Sequence, residues 1–184
     1  MIKEKHLSIS VTRFVQLFAL TAVMIAAAAG NAAAQADRGG FTLVVDLGAG
    51  IQNDTALDET GKGLAGLNFG AGGFLSPNMA IMGRISGTNA SYETPFGDVR
   101  QTAGVVAPVV QYWTSDKVYV QGGAGLGFWS VEGESDQGLG LILGAGVTVW
   151  NNGKHNLQVG VEYVPIFTDS KIHNFGVTFG YQLF

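Results

Sequence analysis

The side chains able to do chemistry are few, and their spacing suits charge pairing better than catalysis. Of the three histidines, only His6 has a serine two positions on, in His6-Leu7-Ser8, and that stretch lies in a segment expected to be removed. His155 and His173 have no nucleophile at such a spacing. Asp169 and Ser170 do lie close to His173, but a Ser–His–acid set would have to be assembled from a polar loop. The chain has no cysteine, which removes thiolate nucleophiles, disulfides and Cys-based metal sites. No metal-ligand spacing is present in the sequence. No catalytic, cofactor or metal site is therefore assigned. Gly123-x-Gly125-x-Gly127 and Gly138-x-Gly140 have the spacing of phosphate-cradling glycines, but each runs on into more strand rather than into a helix N-terminus. The remaining candidates are charges: Asp46, Arg84, Arg100 and Glu162 in otherwise low-charge segments, and the acidic run Glu132, Glu134 and Asp136.

These groups sit in an unusual chain. Its 184 residues allow one domain of ordinary size. Charged residues make up 13% and hydrophobic ones 47%, and there are 28 glycines but only 4 prolines. That is about half the usual charge and about twice the usual glycine, without a collagen period. A net charge of −4 argues against a nucleic-acid partner.

Residues 1–36 have the three parts of a cleavable signal peptide. They are a basic start (Lys3, Lys5, Arg13), an apolar stretch from Leu17 to Ala29, and the small-x-small site Ala34-Gln35-Ala36. Cleavage after Ala36 leaves residues 37–184 as the folded domain. Losing three basic residues and Glu4 takes the net charge from −4 to −6.

No later stretch supplies the ~20 consecutive apolar residues of a membrane helix. Alternation of period two recurs instead, the mark of strands with two unlike faces. Phe41, Leu43, Val45, Leu47, Ala49 and Ile51 oppose Thr42, Asp46, Gly48, Gly50 and Gln52. Ala65, Leu67, Phe69 and Ala71 oppose Gly66, Asn68, Gly70 and Gly72. Ile81 and Ile85 oppose Arg84, Ser86 and Thr88. Residues 100–113 are apolar on both faces, so their register stays open. Four further runs, at 118–128, 139–149, 156–163 and 174–183, alternate again. The total is eight strands of roughly 10 residues, the length needed to cross a bilayer at a tilt. Short turns (76–78, 114–117, 151–154) alternate with longer, more charged links (53–62, 91–98, 130–137, 165–172), and Asn152-Gly153 is a strong hairpin signal. Aromatic residues fall near strand ends. Phe41, Phe74, Tyr112, Trp113, Tyr119, Trp150, Tyr181 and Phe184 form one expected interfacial girdle, and Phe128, Trp129, Tyr163, Phe167 and Phe175 the other. The pattern predicts an all-β fold: an eight-stranded antiparallel, transmembrane, up-and-down β-barrel.

The final strand carries a family likeness. Asn174, Gly176, Phe179 and Tyr181, with Phe184 at the end, resemble the C-terminal insertion signal of bacterial outer-membrane β-barrels, a polar-x-Gly-x-x-hydrophobic-x-hydrophobic pattern near a terminal aromatic. Phe184 is off the apolar register of Phe179 and Tyr181, which predicts a bulge or a frayed end. Pro108-Val109-Val110-Gln111-Tyr112-Trp113 followed by a polar turn and a Gly-rich strand is similar to the porin-like small barrels. The resemblance implies the bacterial outer membrane as location, outer-membrane lipids and lipopolysaccharide as surroundings, and the barrel-assembly machinery as reader of the signal.

On that frame Asp46, Arg84 and Glu162 face the lumen, and Arg100 joins them if its strand takes the matching register. A charge inside a narrow barrel must be paired or hydrated, so the expectation is a lumen plugged by polar and charged side chains, and a structural or surface-interaction role. Glu132, Glu134 and Asp136 crown an acidic outer end that could hold divalent cations. The alternatives are an outer-membrane lipid-modifying enzyme of deacylase or acyltransferase type, a small gated pore along the same charges, and a soluble lipocalin-like carrier. The last needs its apolar residues inside.

Overall fold

The computed structural model describes residues 38–55, 59–94, 97–131, 134–168 and 171–184. The expected signal peptide lies outside these residues, as do Glu132, Asp169 and Ser170. Eight strands follow in chain order: β1 (Phe41–Asp54), β2 (Glu59–Ser76), β3 (Met79–Thr94), β4 (Gly97–Trp113), β5 (Val118–Val131), β6 (Glu134–Asn152), β7 (His155–Phe167) and β8 (Lys171–Leu183). Each pairs antiparallel with the next, and β8 returns to β1 to close the barrel. Closure leaves no edge, so all eight strands keep both neighbours.

Side-chain alternation then assigns the two faces. Leu47, Leu67, Phe69, Ile81, Val106, Leu126, Leu139, Leu143, Val177 and Phe179 all point outward and are exposed, Leu67 by 71%. Asp46, Arg84, Gln121, Glu162 and Gln182 are buried inside. Apolar outside and charged inside is the reverse of a carrier barrel, which removes the lipocalin-like alternative. On β6 the outward apolar run spans Leu139 to Val149, and above it Asn89, Thr102, Ser130 and Gln137 face out and are exposed. An apolar band of about 9–11 residues per strand fits a bilayer core.

The strands are longer than that band, from 13 to 19 residues. The expected long loops are therefore largely strand: Asp54 still pairs with Glu59, Glu93 with Asp98, and Val131 with Glu134. Ladder hydrogen bonds that would otherwise need water are satisfied by continuing the sheet past the apolar band. The opposite end carries the chain termini and the short turns, with Gly153 at φ 63°, the left-handed conformation that a tight turn after Asn152 requires.

Two other expectations change, and the register left open at 100–113 is fixed. A bulge between β1 and β2 matches Leu47 to Leu67 but Gly48 to Ala65, so Leu64 and Leu67 both face out while Ala65 is buried inside. One inserted residue flips every side chain beyond it. On β4, Gln101, Ala103, Val105, Ala107, Val109, Gln111 and Trp113 are the buried face. Phe74, Trp113, Tyr119, Trp129 and Phe184 leave the expected girdles and pack in the interior, whereas Phe41, Tyr112 and Trp150 stay outside and exposed.

Leu143 lies near the middle of the outward apolar run of β6, so Leu143→Arg should cost about 2–4 kcal/mol of folding free energy in lipid. Urea titration of the protein refolded into phosphatidylcholine vesicles measures this; a cost near zero would mean that the face is not in contact with lipid.

Candidate functional site in the barrel interior

Eight strands enclose an interior only just wide enough for side chains, and this sequence fills it in layers. At its middle β1 supplies Asp46, β3 Arg84 and β7 Glu162, exposed by only 2%, 3% and 5%. The Arg84 Nη2 donates to Asp46 Oδ2 and to Glu162 Oε1, both at 2.5 Å. Its Nε donates to Glu162 Oε1 and to Ser86 Oγ, both at 3.1 Å. Gln121 Nε2 adds a third contact to Glu162 Oε1 at 2.7 Å, and Asn68 Nδ2 donates to Glu162 Oε2 at 3.0 Å. Gln158 Nε2 donates to Asp46 Oδ1 at 3.2 Å. The cluster thus draws residues from β1, β2, β3, β5 and β7 to one guanidinium. Each carboxylate oxygen has a donor, which is what makes a buried charge tolerable.

Small residues make the room. A Cβ on Gly180 would fall on the Asp46 carboxylate, and one on Gly144 would meet Gln121 and Glu162. Tyr119 reaches in over Gly146 and Gly160 in the same way.

Arg100, the fourth expected member, is on β4 beside Gln101 and therefore on the other face, exposed and paired across the ladder with Ser91. It takes no part in the cluster. Beyond the cluster toward the strand-extended end, Val105, Ile142, Val164, Ile166 and Ile172 form an apolar layer. A second polar group is interleaved with that layer and runs out to Gln101 and Asp54. Tyr92 donates to Gln52 Oε1 at 2.9 Å, Gln52 Nε2 to Asn174 Oδ1 at 2.7 Å, Asn174 Nδ2 to the Val164 carbonyl at 2.9 Å, and Gln101 Nε2 to Asp54 Oδ2 at 3.2 Å.

Toward the termini lies an amide layer, in which Gln182 Nε2 donates to Thr42 Oγ1 at 3.0 Å and to Gln111 Oε1 at 2.9 Å. Asn156 is fully buried there with neither amide atom hydrogen bonded to protein. Phe74, Trp113 and Phe184 close around this end, their centroids 5.5 to 5.8 Å apart. The expected bulge or frayed end at Phe184 is absent. Alternation continues, Phe184 turns inward, and its amide donates to the Lys154 carbonyl at 2.8 Å.

The other sequence-singled residues scatter. In the insertion pattern, Asn174 and Phe184 point in, while Phe179 and Tyr181 point out. Glu134 and Asp136 sit two apart on β6, so they share a face, while Glu132 lies outside the described residues. His155 Nδ1 is 2.5 Å from the Tyr181 hydroxyl; His173 stacks on Tyr163, with Nδ1 2.7 Å from its hydroxyl.

A closed eight-strand barrel with a charged interior and an apolar exterior has an established counterpart. The family model of the outer membrane protein beta-barrel domain matches residues 18–182. The chain belongs to that family. Its place is the bacterial outer membrane, so the outward apolar band faces lipid. Among solved structures it is similar to Neisserial surface protein A, at 18% identity over 78% of this chain and 96% of that one, with a TM-score of 0.59. It is also similar to Ail, the attachment invasion locus protein of Yersinia pestis, at 17% identity over 79% and 99% of the two chains, with a TM-score of 0.54. A further structure of Ail, in complex with the heparin analogue sucrose octasulfate, aligns at 18% identity over 79% and 99%, with a TM-score of 0.52. These likenesses establish the shared fold. No curated protein matches the sequence.

Removing Arg84 from this outer-membrane barrel would strand two buried carboxylates, so Arg84→Ala should cost about 3–5 kcal/mol. The triple change Asp46→Asn, Arg84→Met, Glu162→Gln removes all three charges and should cost less than Arg84→Ala alone. Urea unfolding in vesicles ranks the two. A triple variant less stable than the single one would show that the charges stabilise the barrel beyond cancelling one another.

Proposed function

We propose that this protein is a closed, non-conducting barrel that serves the outer membrane as a structural element and presents its strand-extended end to partners outside the cell. The observation that carries the reading is the Arg84 guanidinium bridging Asp46 and Glu162 across the middle of the interior. A conducting path would have to part these charges, and each would then need water in place of a partner at 2.5 Å. The apolar layer of Val105, Ile142 and Ile166 adds a stretch with nothing to coordinate an ion. This favours closure over the gated-pore alternative.

Sequence supplies the rest of the reading. The far ends of the strands and the links between them carry Asp58, Glu59, Glu93, Asp98, Glu132, Glu134, Asp136 and Asp169 against Lys62, Arg100 and Lys171, while Asp54 is turned inward onto Gln101. Such an end attracts cations within about a Debye length, ~8 Å at physiological salt. It suits divalent cations shared with lipopolysaccharide phosphates, or a basic partner, better than a sulfated glycan of the kind bound in the Ail complex. A lipid-modifying role has less support: His173 faces outward onto Tyr163. Assembly fits the C-terminal pattern, in which Phe179 and Tyr181 present side chains outward and Asn174 and Gly176 lie on the inner face, ready to be read by the barrel-assembly machinery.

Planar-bilayer recordings of the purified protein should show no steady conductance; large stable openings would overturn the closed-barrel reading. Replacing Glu132, Glu134 and Asp136 by Gln, Gln and Asn should weaken divalent-cation binding, measured calorimetrically, with the barrel still inserted. Unchanged binding would leave those acids a purely solvating role.

A further inference from the structure

Arg38 precedes β1, yet it is only 4% exposed. Its guanidinium lies 4.7 Å from the Trp113 ring centroid and 5.4 Å from that of Phe184, and Nη2 donates to the Asp116 carbonyl at 2.5 Å. Asp116 belongs to the turn joining β4 and β5, on the far side of the opening from β1. Gly39 and Gly40 connect Arg38 to the strand. Gly40 has φ 74°, and a Cβ at either glycine would meet nothing within 4 Å. The chain therefore doubles back through a hinge that is not sterically crowded, and the Gly40 carbonyl is fixed by the Phe74 amide at 2.9 Å. Beneath the rings lies the amide layer, with Asn156, Gln111 Nε2 and Gln182 Oε1 lacking protein partners.

From this geometry we propose that the termini-end mouth of the barrel is a guanidinium site, walled by Trp113 and Phe184 and floored by the Asp116 carbonyl, whose tethered occupant is the chain's own Arg38. The ring faces attract a planar cation and the carbonyl accepts from its edge, a combination suited to guanidinium more than to a compact ammonium. With processing after Ala36, Arg38 is the second residue of the mature chain, so the occupant sits on a free end and can leave. Arg38 stays a cation at neutral pH even in this buried place. Burial holds the Arg38 pKa down to about 10, the nearby Asp116 offsetting this only in part, and Nε has no partner. Arg38 thus acts as a latch over the amide layer. It is independent of the Arg84 cluster, which holds the middle of the barrel whether or not the mouth is shut.

The test uses Trp113 as reporter. The chain has three tryptophans, so Trp129→Phe and Trp150→Phe leave Trp113 alone, in protein purified from outer membranes. Acrylamide quenching should be weak with Arg38 in place and rise about threefold in Arg38→Ala, because the ring loses the side chain that covers its face. Added guanidinium at millimolar concentration should reverse the rise, and methylammonium should not. Arg38→Gln, which keeps most of the bulk, guards against a misfolded alanine variant, and heat-modifiable gel mobility confirms folding of both. Quenching unchanged in both variants would show that the rings close the mouth unaided and would overturn the latch. A rise that guanidinium does not reverse, or that methylammonium reverses equally, would overturn the guanidinium site.

Discussion

A narrow β-barrel in lipid offers a charge two places to go: out through an end, or onto a partner within the interior. Arg84 takes the second course, and much of the sequence can be understood from the requirements of that one guanidinium. It needs carboxylates, which β1 and β7 supply as Asp46 and Glu162. Those need further donors, which come as Asn68, Gln121 and Gln158. The bulk of these groups has to be accommodated within a fixed circumference, which accounts for Gly144 and Gly180 on the strands beside them. Each glycine lacks side-chain packing of its own and costs conformational entropy. The gain is a fully hydrogen-bonded charge cluster where an unpaired charge would be prohibitive.

The parity of alternation propagates along a strand without loss, which is why so much was legible. Asp46, Arg84 and Glu162 could be placed inside from their neighbours alone, since each sits among outward Leu, Ile or Val residues at odd separations. Arg100 could not, because β4 is apolar on both faces: Ala103, Val105, Ala107 and Val109 pack inward while Val106 and Val110 meet lipid. A signal was nevertheless present. Gln101 and Gln111 are ten residues apart and so share a face, and long amides belong inside this barrel. Arg100, adjacent to Gln101, must then point out. Ala65 went astray for a different reason. The bulge beside it is a backbone event, and Gly66 gives no more than a hint of one.

Aromatic residues were the least legible, because a ring at a strand end is equally at home at the lipid interface and in a packed interior. The decision falls to partners on distant strands. Trp113, Phe74 and Phe184 come from β4, β2 and the chain terminus, and they meet only because closure brings β8 back to β1. Arg38 was invisible for the same reason. Nothing adjacent in sequence suggests a partner, although a charge placed directly before Gly39-Gly40, where a strand is about to begin, is a local hint of a returning chain.

The two ends of the barrel meet the same problem with different chemistry. At the strand-extended end, the backbone runs on as paired sheet beyond the lipid, so polar groups there face water and the ladder needs no cap. Acidic side chains cost little in that setting, and net charge of one sign keeps the exposed tips from associating. At the termini the strands stop close to the edge of the apolar band, and short turns leave no length to fold over the opening. Closing it requires large side chains brought from several strands, and rings give the most area for the least lost rotamer freedom. Those rings cover a layer of amides that do not satisfy one another, Asn156 most clearly. Buried amides in that state are the groups that ordered water serves, so the closure here has to keep lipid out while leaving water to the amides beneath the rings. A wall of rings crossed by a hinged cation meets both demands, because the cation can step aside for water while the rings remain packed.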